Sequence, residues 1–188
     1  MTSEIIIAGF GGQGVLSMGK TLAYAGVLRG KEVTWLPSYG PEQRGGTSNV
    51  TVVISDERIS SPIVDSYDVV IALNQQSLSK FEKSVKPGGT LIYDSCGIKD
   101  APTRHDINIY SVDATRTANA SNLQKMTGIM VLGAMLGINR MMDKRAIIDS
   151  LKKTLPERYH NLLPANEKAL AMGADMAVCQ NKVSAPAA

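Results

Sequence analysis

With 188 residues, 44% of them hydrophobic and 20% charged, the chain is long enough for one sizeable core and too short for two comfortable domains. The formal net charge of +3 comes from Lys and Arg alternating with Asp and Glu rather than forming a stripe, which leaves no footprint for duplex nucleic acid. Cys96 and Cys179 stand far apart and form no Cys-x-x-Cys pair, which excludes a Cys-ligated iron–sulfur cluster or structural zinc site built from this chain alone.

Only His105 and His160 join them, so metal chemistry is not expected. Both cysteines are expected as small buried or semi-buried apolar residues, with a liganding or reactive role left open for Cys96 after Tyr93-Asp94-Ser95. Met1-Thr2-Ser3-Glu4 leads directly into strand-like residues without the features of a signal peptide, and the expected compartment is the cytoplasm.

The elements form a doubly wound pattern. Residues 4–8 form a continuous β-branched run, as in a central parallel strand covered on both faces. A glycine loop comes next. The spacing then predicts a helix over 15–29, with Val15, Met18, Leu22 and Ala25 on one face, Gly19, Ala23 and Gly26 as small packing surfaces, and Gly30 as its stop. Residues 32–36 read as the second strand and 49–55 as a third strand or hairpin arm. Residues 68–73 are another buried strand, and Asn74-Gln75-Gln76 marks its exit.

A helix over 77–85 closes at Lys86-Pro87-Gly88-Gly89, read as a stop and turn before a strand at 90–93. Residues 107–112 supply the last strand, with Asp113 placed to cap the segment after it. Residues 126–138 are apolar almost all round, with Gly128, Gly133 and Gly137 spaced for close contacts, and too short for the roughly twenty residues that span a bilayer. This methionine-rich segment reads as a core helix or as part of a subunit interface, where lysine at Met130 would disrupt assembly. Asp143 caps an amphipathic helix that Pro156 ends, residues 166–179 read as one more helix, and 182–188 as a frayed tail. The expected architecture is a single Rossmann-like, three-layer α/β domain over 1–181 with a mostly parallel, doubly wound sheet.

Two glycine-rich elements carry the chemistry. Gly9, Gly11 and Gly14 fit Gly-x-Gly-x-x-Gly between a strand and a helix, where backbone N–H groups can face an anion. The acid that would hold a ribose at the end of the second strand is missing, since Trp35-Leu36-Pro37-Ser38 stands there, and this argues against NAD. The loop reads as an anion nest or as a close strand-to-helix turn. Gly14 to Thr21 also matches the letters of a P-loop, with Asp94 on a candidate acidic strand. Five residues separate it from its strand, however, and Met18 and Leu22 continue a helical face, which speaks against ATP or GTP hydrolysis. The second element, Ser38-Tyr39-Gly40-Pro41-Glu42-Gln43-Arg44-Gly45-Gly46, presents Arg44 as a bidentate donor for carboxylate or phosphate and Tyr39 as an aromatic face; the alternative is a surface loop in which Arg44 pairs with Glu42. No nucleophile or general base accompanies it.

These two elements, with Asn74-Gln75, the Ser77 to Phe81 segment and Lys86-Pro87-Gly88-Gly89, resemble the gamma subunit of 2-oxoacid:ferredoxin oxidoreductases. The resemblance covers most of residues 4–140; Gln43 replaces a frequent Met, and beyond Asp143 the likeness is only general. It implies a subunit, inactive alone, of an enzyme that oxidatively decarboxylates a 2-oxoacid with coenzyme A to give an acyl-CoA, carbon dioxide and reduced ferredoxin. It places thiamine diphosphate, magnesium and iron–sulfur clusters on alpha, beta and ferredoxin-like delta partner subunits. It puts coenzyme A contacts at Gly11, Gly12, Gln13, Gly14, Ser38, Tyr39, Gly40, Glu42, Arg44, Gly45, Gly46, Asn74 and Gln75, with no catalytic or metal-binding residue. The 2-oxoglutarate branch is most similar, with pyruvate, branched-chain and indolepyruvate types close to it. A homodimer in isolation, a stand-alone nucleotide-binding protein and a purely structural subunit stay open.

Overall fold

The computed structural model describes residues 1–40 and 45–183. Seven strands form one sheet in the order β2-β3-β1-β4-β5-β6-β7. They are β1 (Thr2–Phe10), β2 (Glu32–Tyr39), β3 (Thr47–Ser55), β4 (Tyr67–Ala72), β5 (Val85–Asp94), β6 (Asn108–Val112) and β7 (Val178–Asn181). The helices are α1 (Val15–Leu28), α2 (Gln75–Phe81), α3 (Ala114–Ala120), α4 (Thr127–Asn139), α5 (Lys144–Thr154) and α6 (Leu163–Ala174). β1, β2, β4, β5 and β6 point one way, whereas β3 runs against β1 and β2, and β7 against β6.

β3 is thus the hairpin arm of the two readings. The short 40–46 connection cannot make the crossover of a dozen or more residues that parallel strands require, so the chain turns back and β3 lies between β2 and β1. The expected mostly parallel α/β sheet is present, with antiparallel insertions at the second position and at one edge.

Burial of β1 on both faces comes from its unbroken Ile5-Ile6-Ile7 run. Ile5 and Ile7 pack with α1 and α4, and Ile6 joins Val70, Leu91 and Leu78 on the opposite face. That second face is thinly covered, by α2 and by connecting segments that carry Val64 and Ile98. Gly19 and Gly26 let α1 lie close on the sheet: an added Cβ would press on Val50 and Trp35 at the first, and on Val33 and Ile54 at the second.

The apolar segment is a helix of this chain's own core, since Met130 and Met135 are fully buried and Met126 nearly so. Lysine at Met130 therefore strikes folding before it reaches any interface. α4 packs on α6 through three glycines. A Cβ at Gly133 or Gly137 would meet the Leu170 or Ala174 carbonyl, and one at Gly173 would fall on the Met130 carbonyl.

Other expectations are corrected. Lys86 to Gly89 does not end an element but lies inside β5. Tyr67 pairs with Val85 and Val69 with Thr90, so the extra residues form a bulge with Gly88 at φ 74°. The helix expected over 77–85 starts earlier, at Gln75, and gives way to a 3-10 turn over Glu82–Ser84. The helix expected to reach Cys179 ends at Ala174, and Cys179 lies in edge strand β7. Both cysteines are exposed, Cys96 because it falls in the turn after β5 and Cys179 because its strand has one neighbour. Asp113 precedes α3 but makes no capping bond; Asp94 does that work instead, its Oδ2 accepting from the Thr115 N–H at 3.1 Å and hydroxyl at 2.5 Å. Of the expected tail, Val183 donates its N–H to Asn108 Oδ1 at 3.1 Å, and 184–188 lie outside the described residues.

Asp143 caps α5 as expected. Its Oδ1 accepts from the Ala146 N–H at 2.7 Å and from Arg29 Nη2, at the end of α1, at 2.9 Å. Arg29 first, then the Ala146 N–H, holds the carboxyl below its ordinary range. Because the folded value is depressed, the stabilisation is present above the ordinary carboxylate range and is lost as pH falls through the lowered folded value. Asp143→Ala is expected to cost about 1 kcal/mol near neutral pH, and the difference from the parent should shrink in acid. Urea midpoints of both proteins at neutral and acidic pH check this.

Candidate functional site

The exits of β1, β2, β4 and β5 all lie at one edge of the sheet, where open α/β sheets hold their ligands. Two glycine loops meet there. The Gly11 N–H donates to the Gly46 carbonyl at 2.9 Å, and the Gly45 N–H donates to the Gly11 carbonyl at 3.5 Å. Between them opens a cleft of about 500 Å3, lined by Gly11, Gly12, Ser17, Tyr39, Thr47 and Ser48 among others.

Gly12 and Gly14 have φ of 100° and 78°, left-handed conformations that β-carbon-bearing residues rarely adopt. Gly14 is the N-cap of α1. It supplies no side-chain cap, and the first turn of α1 has no acidic residue, so the start of a 14-residue helix faces the cleft without an internal anion. With α1 beginning at Val15, the stretch from Gly14 to Thr21 is helix, not a phosphate loop.

The expected contact residues divide into groups. Gly11, Gly12, Gly14, Tyr39 and Gly46 surround the cleft, with Tyr39 at 68% exposure offering its ring to solvent. Gly45 joins them through its bond to Gly11, and the Gly40 N–H donates to the Thr47 carbonyl at 3.3 Å as the hairpin closes. Ser38 is an exposed residue of β2 that pairs with Asn49. Glu42 and Arg44 lie outside the described residues.

Gln13, Asn74 and Gln75 have their polar groups engaged within the chain. Gln13 Oε1 accepts from the Phe10 N–H at 2.6 Å and from Asn74 Nδ2 at 3.2 Å, while its Nε2 donates to the Leu73 carbonyl at 3.1 Å. Asn74 Oδ1 caps α2 by accepting from the Ser77 N–H at 2.9 Å. Gln75 Oε1 accepts from the Lys99 and Asp100 N–H groups, both at 2.8 Å. These side chains pin the glycine loop to the exit of β4 and pin β5's exit loop to α2. Gln13→Ala would orphan the Phe10 N–H and the Leu73 carbonyl, at about 1–3 kcal/mol for a buried group. We expect a lower melting temperature and faster amide exchange around the glycine loop, read by hydrogen exchange.

Sequence reasoning missed Asp94 as a structural node. It is 2% exposed, and besides Thr115 it accepts from the Cys96 N–H at 3.1 Å. Its place at a strand exit was the available signal. Among the described residues no cluster of three or more His, Cys, Asp or Glu side chains is arranged to hold a metal, and no helix is long and apolar enough to cross a membrane.

The chain is similar to known proteins in sequence and in fold. The family model described as pyruvate ferredoxin/flavodoxin oxidoreductase matches residues 4–176. The ketoisovalerate oxidoreductase subunit VorA of Methanothermobacter marburgensis is 42% identical over 93% of this chain, which spans only 36% of that longer protein. The 2-oxoglutarate synthase subunit KorC of Methanocaldococcus jannaschii is 37% identical, with 87% of this chain and 90% of that one covered. Among solved structures, the gamma subunit of a keto/oxoacid ferredoxin oxidoreductase from Geobacter sulfurreducens superposes with a TM-score of 0.81 at 29% identity, covering 94% of this chain and 96% of that one. From its fold, its paired glycine loops and a family match over nearly its whole length, the chain belongs to the pyruvate ferredoxin/flavodoxin oxidoreductase family.

Proposed function

We propose that the chain is the gamma-type subunit of a 2-oxoacid:ferredoxin oxidoreductase and holds coenzyme A at the two-loop cleft. The observation that carries this is the junction of the two glycine loops through Gly11, Gly45 and Gly46, beside the uncapped start of α1. Such a helix start favours a phosphate. The glycines let the ligand approach the backbone closely, and Tyr39 offers a face for a base or for the pantetheine arm. Arg44, carried by the loop that Gly40 and Gly45 bound, supplies a charge-assisted contact.

In this reading the bond between the 2-oxoacid's carbonyl carbon and its carboxylate breaks to release carbon dioxide, the two electrons left on the carbonyl carbon pass one at a time to ferredoxin, and the coenzyme A sulfur bonds that carbon as the thiol proton is lost. When bound on the alpha, beta and delta partners, thiamine diphosphate, magnesium and iron–sulfur clusters supply the carbanion and electron-transfer chemistry. This chain contributes binding and orientation. Its two cysteines, Cys96 in the turn after β5 and Cys179 in β7, are fewer than the four thiolates an iron–sulfur cluster ordinarily takes. The complex works in the cytoplasm.

The substrate we favour is 2-oxoglutarate, because the Ser38 to Pro41 and Asn74-Gln75 patterns resemble that branch and KorC matches this chain in length. The higher identity to VorA supports a branched-chain 2-oxoacid as the second reading. Reconstitution with the genomic partner subunits tests both. The isolated chain should show no 2-oxoacid oxidation, and the complex should reduce ferredoxin in a coenzyme A-dependent way, faster with 2-oxoglutarate than with ketoisovalerate. A complex equally active without this chain would overturn the assignment.

A further inference from the structure

Beside the glycine loop lies a second, larger cavity of about 580 Å3. It shares Gly12, Gly14 and Ser17 with the cleft, but otherwise runs along α1 between the start of α4 and the end of α5. Its size is that of a small-molecule site.

Three features describe what it would hold. Its lining includes the uncapped start of α1 and two exposed lysines, Lys20 and Lys125, groups suited to a phosphate or carboxylate. The walls are apolar, built by Met18, Leu73, Ile129, Val131, Leu151 and Leu155. Two buried polar side chains interrupt them. Thr21 is 5% exposed, and its hydroxyl has no hydrogen-bond partner among the described residues; the bond from Ser150 goes to its backbone carbonyl, at 2.7 Å. Asn166 is 6% exposed and donates its Nδ2 to the Leu162 carbonyl at 2.8 Å, which leaves Oδ1 with no donor among the described residues. Both side chains line the same cavity. Asp94, which also lines it, differs in having its oxygens filled by Cys96 and Thr115.

Anion-binding groups, apolar walls and an inner hydroxyl and amide oxygen match a phosphorylated nucleoside, whose base has flat apolar faces and a hydrogen-bonding edge. We propose that this cavity binds a nucleoside phosphate, with the phosphate at the start of α1 beside Lys125 and the base edge at Thr21 and Asn166. Two sources carry that chemistry. One is a free adenine nucleotide, which would share the start of α1 with the ligand of the cleft; the other is the nucleotide end of coenzyme A, which rests on the reading above.

Calorimetric titration of the full chain with AMP should give saturable binding of one molecule per chain. Thr21→Val leaves the Ser150 bond intact and should weaken this binding about five- to tenfold, the effect of a single hydrogen bond. Lys125→Gln should weaken it similarly, and Ile129→Trp, by filling the cavity, should abolish it; Thr21→Val keeps the test decisive if the tryptophan variant fails to fold. In the reconstituted complex, a raised KM for coenzyme A in the Thr21→Val variant would identify the coenzyme as the source. An unaltered KM for coenzyme A in that variant, with its AMP binding weakened, would identify a free nucleotide. Absence of saturable AMP binding overturns the proposal, as does binding that Thr21→Val and Lys125→Gln leave unchanged. If Arg44→Ala lowers the affinity for coenzyme A and Thr21→Val and Lys125→Gln do not, the coenzyme is excluded as the source of the cavity's nucleotide, while the cleft reading stands.

Discussion

Replacing Gly173 with valine is expected to leave the chain without a cooperative unfolding transition. The alanine replacement should already lower the urea midpoint sharply. The missing Cβ is where α6 meets the backbone of α4: even one added carbon would fall on the Met130 carbonyl, which no rotamer change can move. Relief requires separating two helices whose contact is reinforced at Gly133 and Gly137. Overpacking typically costs about 1–3 kcal/mol when side chains can adjust, and a rigid backbone raises that figure against a total stability of about 5–15 kcal/mol. Separation would also open the core around Met130, Leu132 and Met135 to water. Circular dichroism during urea titration reads the outcome. A valine variant with the parent's midpoint would mean that the two helices are not locked together here.

The second large effect is expected at Arg44. A hydrogen bond to a charged group contributes roughly 1.5–3 kcal/mol, so Arg44→Ala in the reconstituted complex should raise the KM for coenzyme A about tenfold or more. Subunit assembly and iron content should not change. Measuring initial rates against coenzyme A at saturating 2-oxoacid separates this from damage to the chemical step, which would lower kcat instead. A variant that assembles and keeps the parent's coenzyme A dependence would mean that Arg44 only braces its loop.

Much of the scaffold could be read from local pattern because local chemistry decided it. A run such as Ile5 to Ile7 has no polar face to offer, so it must be covered on both sides. The glycines of α1 and α4 stand at helical spacing because neighbouring backbone or side chains leave no room for a Cβ. The features that could not be read depended on distant parts of the chain. Lys86 to Gly89 carries the letters of a turn, yet pairing with β4 absorbs it as a bulge. α6 ends at Ala174, just past Gly173, and the chain then pairs with the edge of β6 as β7, a partner that local pattern does not reveal.

The site divides in the same way. The glycine loops were visible as letters, and their meeting was implied by successive strand exits. The fates of Gln13, Asn74 and Gln75 were hidden, because an amide looks identical in sequence whether it faces a ligand or holds a loop 60 residues away at Leu73. Thr21 and Asn166 carried no signal at all. A hydroxyl on a helix and an amide near a helix start are ordinary until a shared cavity makes their free oxygens matter.

The reversed strand between β1 and β2 also limits what this scaffold can become. In a dinucleotide-binding sheet the second strand lies next to the first, so that an acid at its tip reaches a ribose whose phosphate rests on the glycine loop. Here β3 occupies that place, and β2 is displaced by a full ladder spacing, about 4.8 Å. Placing aspartate at Leu36 or Ser38 would set a carboxylate one strand too far out. A protein engineer seeking a nicotinamide cofactor in this domain would have to remove a strand, and no exchange of side chains would suffice.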